Sequence, residues 1–147
     1  MRNTIVLFAF FVSLAACNKT EVNAVNRETQ SKTLQTTIVN VYYFHGNFRC
    51  HTCRNMENYS RETIEAYFKK EIESGIINFK TINIDQKGNE HYIKDYQLYT
   101  KTLIISVTKD GKEAQYKNLD KIWEYARDKE KFKNYVKSEV TGFLNIK

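Results

Sequence analysis

Proline is absent from all 147 residues of the chain, and glycine occurs only five times. Collagen-like, proline-rich and low-complexity architectures are excluded by that alone. No apolar run reaches the roughly 20 residues that a membrane-spanning helix needs. Charge of one sign is never concentrated: the formal charge is +6, but 23 Lys and Arg are scattered among 17 Asp and Glu. A nucleic-acid-binding face would need a basic stripe or a known motif. Neither is present, so no nucleic-acid partner is expected. Also missing are a Ser-His-Asp constellation, a phosphate-binding glycine loop, paired catalytic carboxylates and internal repeats.

What the chain does have is apolar and aromatic mass. Hydrophobic residues make up 41% of it and aromatics 14%, with ten Tyr and nine Phe. That is enough for one packed globular domain, and the length suits one domain rather than two. Three cysteines complete the informative inventory, and they divide into one and two.

The lone cysteine closes an export signal. Arg2 is followed by an apolar run from Ile5 to Ala16, the pattern of a secretory signal. The run ends Leu14-Ala15-Ala16-Cys17, which resembles the bacterial lipobox, and that resemblance implies removal of residues 1–16 and lipidation of Cys17. The alternative is an unlipidated secreted protein cut before Cys17. Several acyl chains hold a protein firmly, at about 0.8 kcal/mol for each buried methylene. Asn18, rather than Asp, follows the cysteine, so the resemblance gives no inner-membrane retention signal. The expectation is a bacterial cell-envelope protein, lipid-anchored and periplasm-facing at the outer membrane, where disulfides persist. Residues 17–36 are polar and aperiodic and are read as the lipidated N-terminus and a flexible tether, with a reach of roughly 25 Å. Residues 37–147 are expected to be the folded domain, a monomer.

Ile38–Phe44 is nearly continuous in β-branched and aromatic residues, as in a strand covered on both faces. From Cys53 to about Ser74, Met56, Tyr59, Ile64, Tyr67, Phe68 and Ile72 recur at helical spacing, and Gly75 is a fitting stop. Ile76–Ile84 reads as a second strand and Asn89–Tyr96 as a short helix. Leu103–Val107 and Glu113–Lys117 read as strands joined at Asp110-Gly111, a hairpin signal. From Leu119 to Leu144 the spacing is helical again, with an interruption near Asp128. Trp123 is expected to pack against the sheet. Strand, helix, strand, helix, strand, strand, helix predicts a parallel pair joined by a crossover, an added antiparallel hairpin, and helices on both faces.

Cys50 and Cys53 fall where the first strand runs into the first helix. Unpaired N–H groups and the helix dipole favour an anion there, so the Cys50 thiolate is expected to be favoured over that of a free thiol. Arg49, His51 and Arg54 add positive character. Cys53, one turn inside, suits a resolving thiol. A nucleophile and a resolving neighbour are what thiol–disulfide exchange needs. The plain alternative is a permanent bridge, but structural bridges stabilise more when they close longer loops.

At this point the chain resembles the thioredoxin-like superfamily, over about residues 37–144. The matching segments are Val41-Tyr42-Tyr43-Phe44, Cys50-His51-Thr52-Cys53, Ile82-Asn83-Ile84-Asp85, Tyr96-Gln97-Leu98 and Lys101-Thr102-Leu103-Ile104. More narrowly, Val41 to Gly46 running into Arg49-Cys50 resembles the nitrophenyl-compound nitroreductase subunit ArsF family. The resemblance implies an α/β fold, a thioredoxin-like three-layer α/β/α sandwich with a mixed central sheet. It implies a redox-active Cys50–Cys53 disulfide without a further cofactor, and protein thiols or disulfides as partners. Three positions depart from the superfamily pattern. Lys101 or Thr100 stands where a cis-proline is usual, and a trans bond is expected, since a non-proline cis bond costs about 3–4 kcal/mol. Tyr43 stands near the place of a buried acid, and Phe48 and Arg49 replace a tryptophan.

A second reading takes His45, Cys50, His51 and Cys53 as copper(I) or zinc ligands, since thiolate and imidazole suit those ions. A third is a redox-inert interaction module with a static bridge. Against the metal reading, there is no second CxxC and no zinc-finger histidine spacing. His45 is as readily a hydrogen-bonding residue at a strand end, and His51 a solvent-facing one. Lys101 is a candidate for placing its ammonium near Cys50, and Asp85 for capping the turn after it.

Overall fold

The computed structural model of the chain describes residues 37–146. The expected signal, the lipidation site Cys17 and the tether lie outside the described residues. Four strands, β1 (Thr37–His45), β2 (Ile77–Asn83), β3 (Thr102–Lys109) and β4 (Lys112–Asn118), form one sheet in the order β2-β1-β3-β4. β1 runs parallel to β2, with Val39 opposite Ile77 and His45 opposite Asn83. It runs antiparallel to β3, with Val41 opposite Ile105 and Phe44 opposite Thr102. β3 and β4 are antiparallel. The helices are α1 (His51–Tyr67), α2 (Lys69–Glu73), α3 (His91–Asp95) and α4 (Lys129–Leu144). A mixed sheet led by a β-α-β unit, closed by a hairpin and a last helix, is the thioredoxin-like α/β arrangement.

Alternation along the strands sorts the core into two faces. Val39, Val41 and Tyr43 of β1 join Leu103, Ile105 and Val107 of β3 in a cluster with Met56 and Ile64 of α1 and Phe132, Val136 and Val140 of α4. Phe44 and Ile104 point the other way and pack with Tyr96 and Leu98, with Tyr42 and Tyr92 alongside. The two faces give three layers, the third made of little more than α3 and the chain that follows it. Burying each such side chain contributes roughly 1.5–3 kcal/mol. The Glu113 carboxylate of β4 accepts from Tyr96 Oη at 2.5 Å and Ser106 Oγ at 2.6 Å, tying the thin layer to the sheet.

The element boundaries have local causes. Asp110 and Gly111 both have positive φ, 51° and 78°, the geometry of a two-residue turn whose twist suits a hairpin. After α2, the Gly75 N–H donates to Ile72 O at 3.0 Å and the Ile76 N–H to Glu71 O at 2.8 Å. That closes the helix as a Schellman motif around Gly75, whose φ is 74°. The expected single helix from Cys53 to Ser74 is instead two. It starts at His51 and breaks at Phe68, whose φ of −129° lies outside the helical range. The break turns Phe68 into the core, while Tyr67 and Ile72, expected on the apolar face, are exposed. The interruption expected near Asp128 is the start of α4: Asp128 caps it by accepting from Lys131 N at 3.1 Å. The stretch before it holds only a 3-10 turn, Asp120–Ile122.

Candidate dithiol site

Cys50 ends the loop after β1 and is the N-cap of α1. Its backbone is extended (φ −71°, ψ 163°), and its sulfur accepts from the Cys53 N–H at 3.1 Å. Serine or aspartate would use an oxygen at this position; here the acceptor is sulfur. The first turn of α1 carries no acidic residue, so nothing there opposes a negative charge drawn by the dipole. Cys50 and Cys53 form a disulfide, with Cα atoms 5.1 Å apart. Cys50 is half-buried, and Cys53 is only 2% exposed.

The approach to the site is fixed against β2. Ile84 N donates to His45 O at 2.8 Å, Asn47 N to Asp85 Oδ2 at 2.7 Å, and Asn83 Nδ2 to Asn47 Oδ1 at 2.8 Å. Asp85 therefore holds the loop before Cys50 and does not cap its own turn, as the sequence had suggested. Gly46 sits against that carboxylate: a Cβ there would lie 2.8 Å from Asp85 Oδ2. Below the site, buried Tyr43 donates its hydroxyl to Cys53 O at 2.7 Å. Burial pushes the Tyr43 phenol up to about 12, against a smaller opposing pull from Arg49.

Arg49, expected to favour the Cys50 thiolate, is ion-paired with Glu57 of α1. Its Nη1 lies 3.3 Å from His45 Nε2, and His45 Nδ1 is 2.9 Å from Gly46 O. The arginine then donates to Nε2 and the ring donates from Nδ1. The buried Nε of Arg49 has no partner among the described residues. The Arg49 charge is thus met by the Glu57 carboxylate. His51 is exposed and lies 3.4 Å from the Asn55 amide through Nδ1. The bond before Lys101 is trans, as every described peptide bond is. Lys101 borders a second cleft with His45, Gly46, Phe48, Asp85 and Tyr99. Its carbonyl accepts from the Trp123 indole N–H at 2.8 Å.

Trp123 corrects the sequence expectation most clearly. It is 39% exposed rather than buried beneath the sheet's helices. With Ala126, Thr52, Glu124 and Arg127 it lines an open cleft of about 490 Å³ that has Cys50 in its wall. Glu57 and Trp123 were both missed as site residues. Glu57 was findable, because it stands four residues after Cys53 and four before Arg61, on one helix face. Nothing local marked Trp123. Among the described residues no three His, Cys, Asp or Glu side chains cluster as a metal site. His45 and His51 are engaged with Arg49 and Asn55, and the two sulfurs with each other.

No family model matches the chain, and no curated protein matches it. The likeness to the ArsF family therefore remains one of residues 41–50. Among solved structures, the chain is similar to Fasciola hepatica thioredoxin in its X-ray structure. Identity is 25%, over 61% of this chain and 79% of that chain, with a TM-score of 0.37. The fold assignment rests on the strand order and register described above.

Proposed function

We propose that this domain is a thiol–disulfide oxidoreductase acting on protein partners, with Cys50 as the nucleophile and Cys53 as the resolving thiol. One observation carries the reading. The Cys50 sulfur caps α1, accepts a helix N–H and opens on a cleft, while its partner is buried one turn below. When the pair is reduced, the same N–H and the dipole favour the thiolate form of Cys50. That thiolate attacks one sulfur of a partner disulfide, forms a mixed disulfide and expels the other partner sulfur as a thiolate, which takes a proton from water. Cys53, deprotonated in turn, attacks the Cys50 sulfur. The Cys50–Cys53 bond forms, the second partner sulfur leaves, and the partner has gained two electrons. Run backwards, a partner dithiol is oxidised. The reduction potential sets the direction. Lipidation of Cys17 would hold this chemistry at the outer membrane of a bacterial envelope, facing the periplasm, on the strength of the Leu14-Ala15-Ala16-Cys17 sequence.

The test is a trap. Cys53→Ser should accumulate mixed disulfides between Cys50 and cell-envelope proteins, released by dithiothreitol and absent from Cys50→Ser. The proposal is overturned if the trap stays empty and the reduced Cys50 alkylates with the pH profile of an ordinary free thiol.

A further inference from the structure

We propose that Trp123 is the substrate-recognition platform of this dithiol, selecting polypeptide disulfides that present an apolar or aromatic side chain next to the cysteine attacked. The inference rests on the exchange activity proposed above and adds the substrate class. The cleft at Cys50 is lined by the apolar Trp123 and Ala126 and by the polar Thr52, Glu124 and Arg127. Whatever joins its sulfur to Cys50 must occupy this space, so the occupant is the partner chain around its own cysteine. About 490 Å³ is more than a small disulfide fills, and within the range of sites that bury whole ligands. A large exposed aromatic side chain among polar neighbours is the kind of residue that dominates recognition at an interface.

The indole is also held in place. Its Nε1–H is committed to Lys101 O, and the 3-10 turn Asp120–Ile122 behind it is anchored by fully buried Leu119 and Ile122. A fixed flat surface costs little entropy to use. No tryptophan precedes Cys50 in sequence; the structure brings one to the pair from the segment between β4 and α4. The arrangement acts on the step in which the partner disulfide is attacked. In that exchange Trp123 aligns the partner backbone for the Cys50 thiolate.

The experiment compares kcat/KM of the full-length reduced protein, with dithiothreitol as reductant, on two peptide disulfides and on hydroxyethyl disulfide. One peptide carries Phe beside its cysteine and the other Gly. Wild type should favour the Phe peptide. Trp123→Ala should lose at least about tenfold on that peptide, equivalent to about 1.4 kcal/mol. Its loss on hydroxyethyl disulfide, which has no side chain to rest on the indole, should be much smaller, and the Cys50 alkylation profile and the reduction potential should stay near wild type. Trp123→Phe, which keeps a flat apolar surface but not the N–H, should restore most of the preference. The inference is overturned if Trp123→Ala keeps the Phe-peptide preference, if all three substrates slow together, or if Phe48→Ala or Tyr99→Ala abolishes the preference instead. Phe48 and Tyr99, 77% and 93% exposed, line the neighbouring cleft. A wild-type protein inert towards all three disulfides sinks the exchange reading itself, which is a different result from any of these.

Discussion

At the scale of single residues, the site separates groups that act on sulfur from groups that hold the scaffold. The Cys53 N–H reaches the Cys50 sulfur directly. Arg49, one residue away in sequence, does not serve it in the same way, because its guanidinium is paired with Glu57 and His45. Arg49→Ala would leave the Glu57 carboxylate with Arg61 alone, 3.6 Å away, and would remove the donor to His45. Losing the partner of a half-buried charge typically costs about 1–3 kcal/mol. We expect the unfolding free energy of Arg49→Ala, from denaturant titration, to fall by that much while the alkylation pH profile of reduced Cys50 stays near wild type. A large upward move of that profile would return Arg49 to the role the sequence suggested. Tyr43 has a similarly structural place: its hydroxyl meets a helix carbonyl, not a thiol.

At the scale of elements, the loop between β1 and α1 sets where Cys50 sits. Its backbone is bonded to the end of β2 through Asp85 and Asn83, and Gly46 lets the Asp85 carboxylate come close. Gly46→Ala would force that carboxylate aside and weaken its bond to the Asn47 N–H. The expected loss of stability is about 1–3 kcal/mol, with slower reaction of Cys50 towards disulfides as the loop shifts. Gly46→Ala combined with Asp85→Ala removes the collision, so its cost should be smaller than the sum of the two single costs. Additive costs in denaturant titrations would show that the close approach is not what Gly46 provides. The break at Phe68 belongs to this scale too. A helix continued through it would carry Phe68 away from the core position it fills.

At the scale of the whole molecule, several tyrosines are held neutral by the packing around them. Burial pushes Tyr43 and Tyr135 up to about 12, and it raises Tyr42 and Tyr96 as well. Below pH about 10, the ordinary phenol value, the folded and unfolded chains both keep these protons and stability does not depend on them. Between about 10 and 12 the unfolded chain ionises first, so stability falls as pH rises; above about 12 both states are ionised at Tyr43. The Tyr43 share approaches about 1.4 kcal/mol per pH unit inside that window. Denaturant midpoints of the oxidised protein should hold steady up to pH about 10 and then drop, and Tyr43→Phe should make the drop shallower. An unchanged slope in Tyr43→Phe would mean that this phenol ionises as freely in the folded protein as in the unfolded chain.

The sequence by itself determined what depends on neighbours along the chain. Asp110-Gly111 specified the hairpin because both residues tolerate positive φ, and the nearly continuous apolar run of β1 specified a strand covered on both faces. Cys50 and Cys53 were legible because a helix start exposes its own N–H groups whatever packs around it. Helix ends were less legible. The break at Phe68 and the exposure of Tyr67 and Ile72 follow from where the sheet needs an aromatic ring, which periodicity does not carry. Only the tertiary structure decided that Trp123 lies at Cys50 and that Arg49 answers to Glu57. Those meetings arise when α1 and the segment before α4 are pressed onto one face of the sheet, and the energy that holds them comes from the shared core beneath.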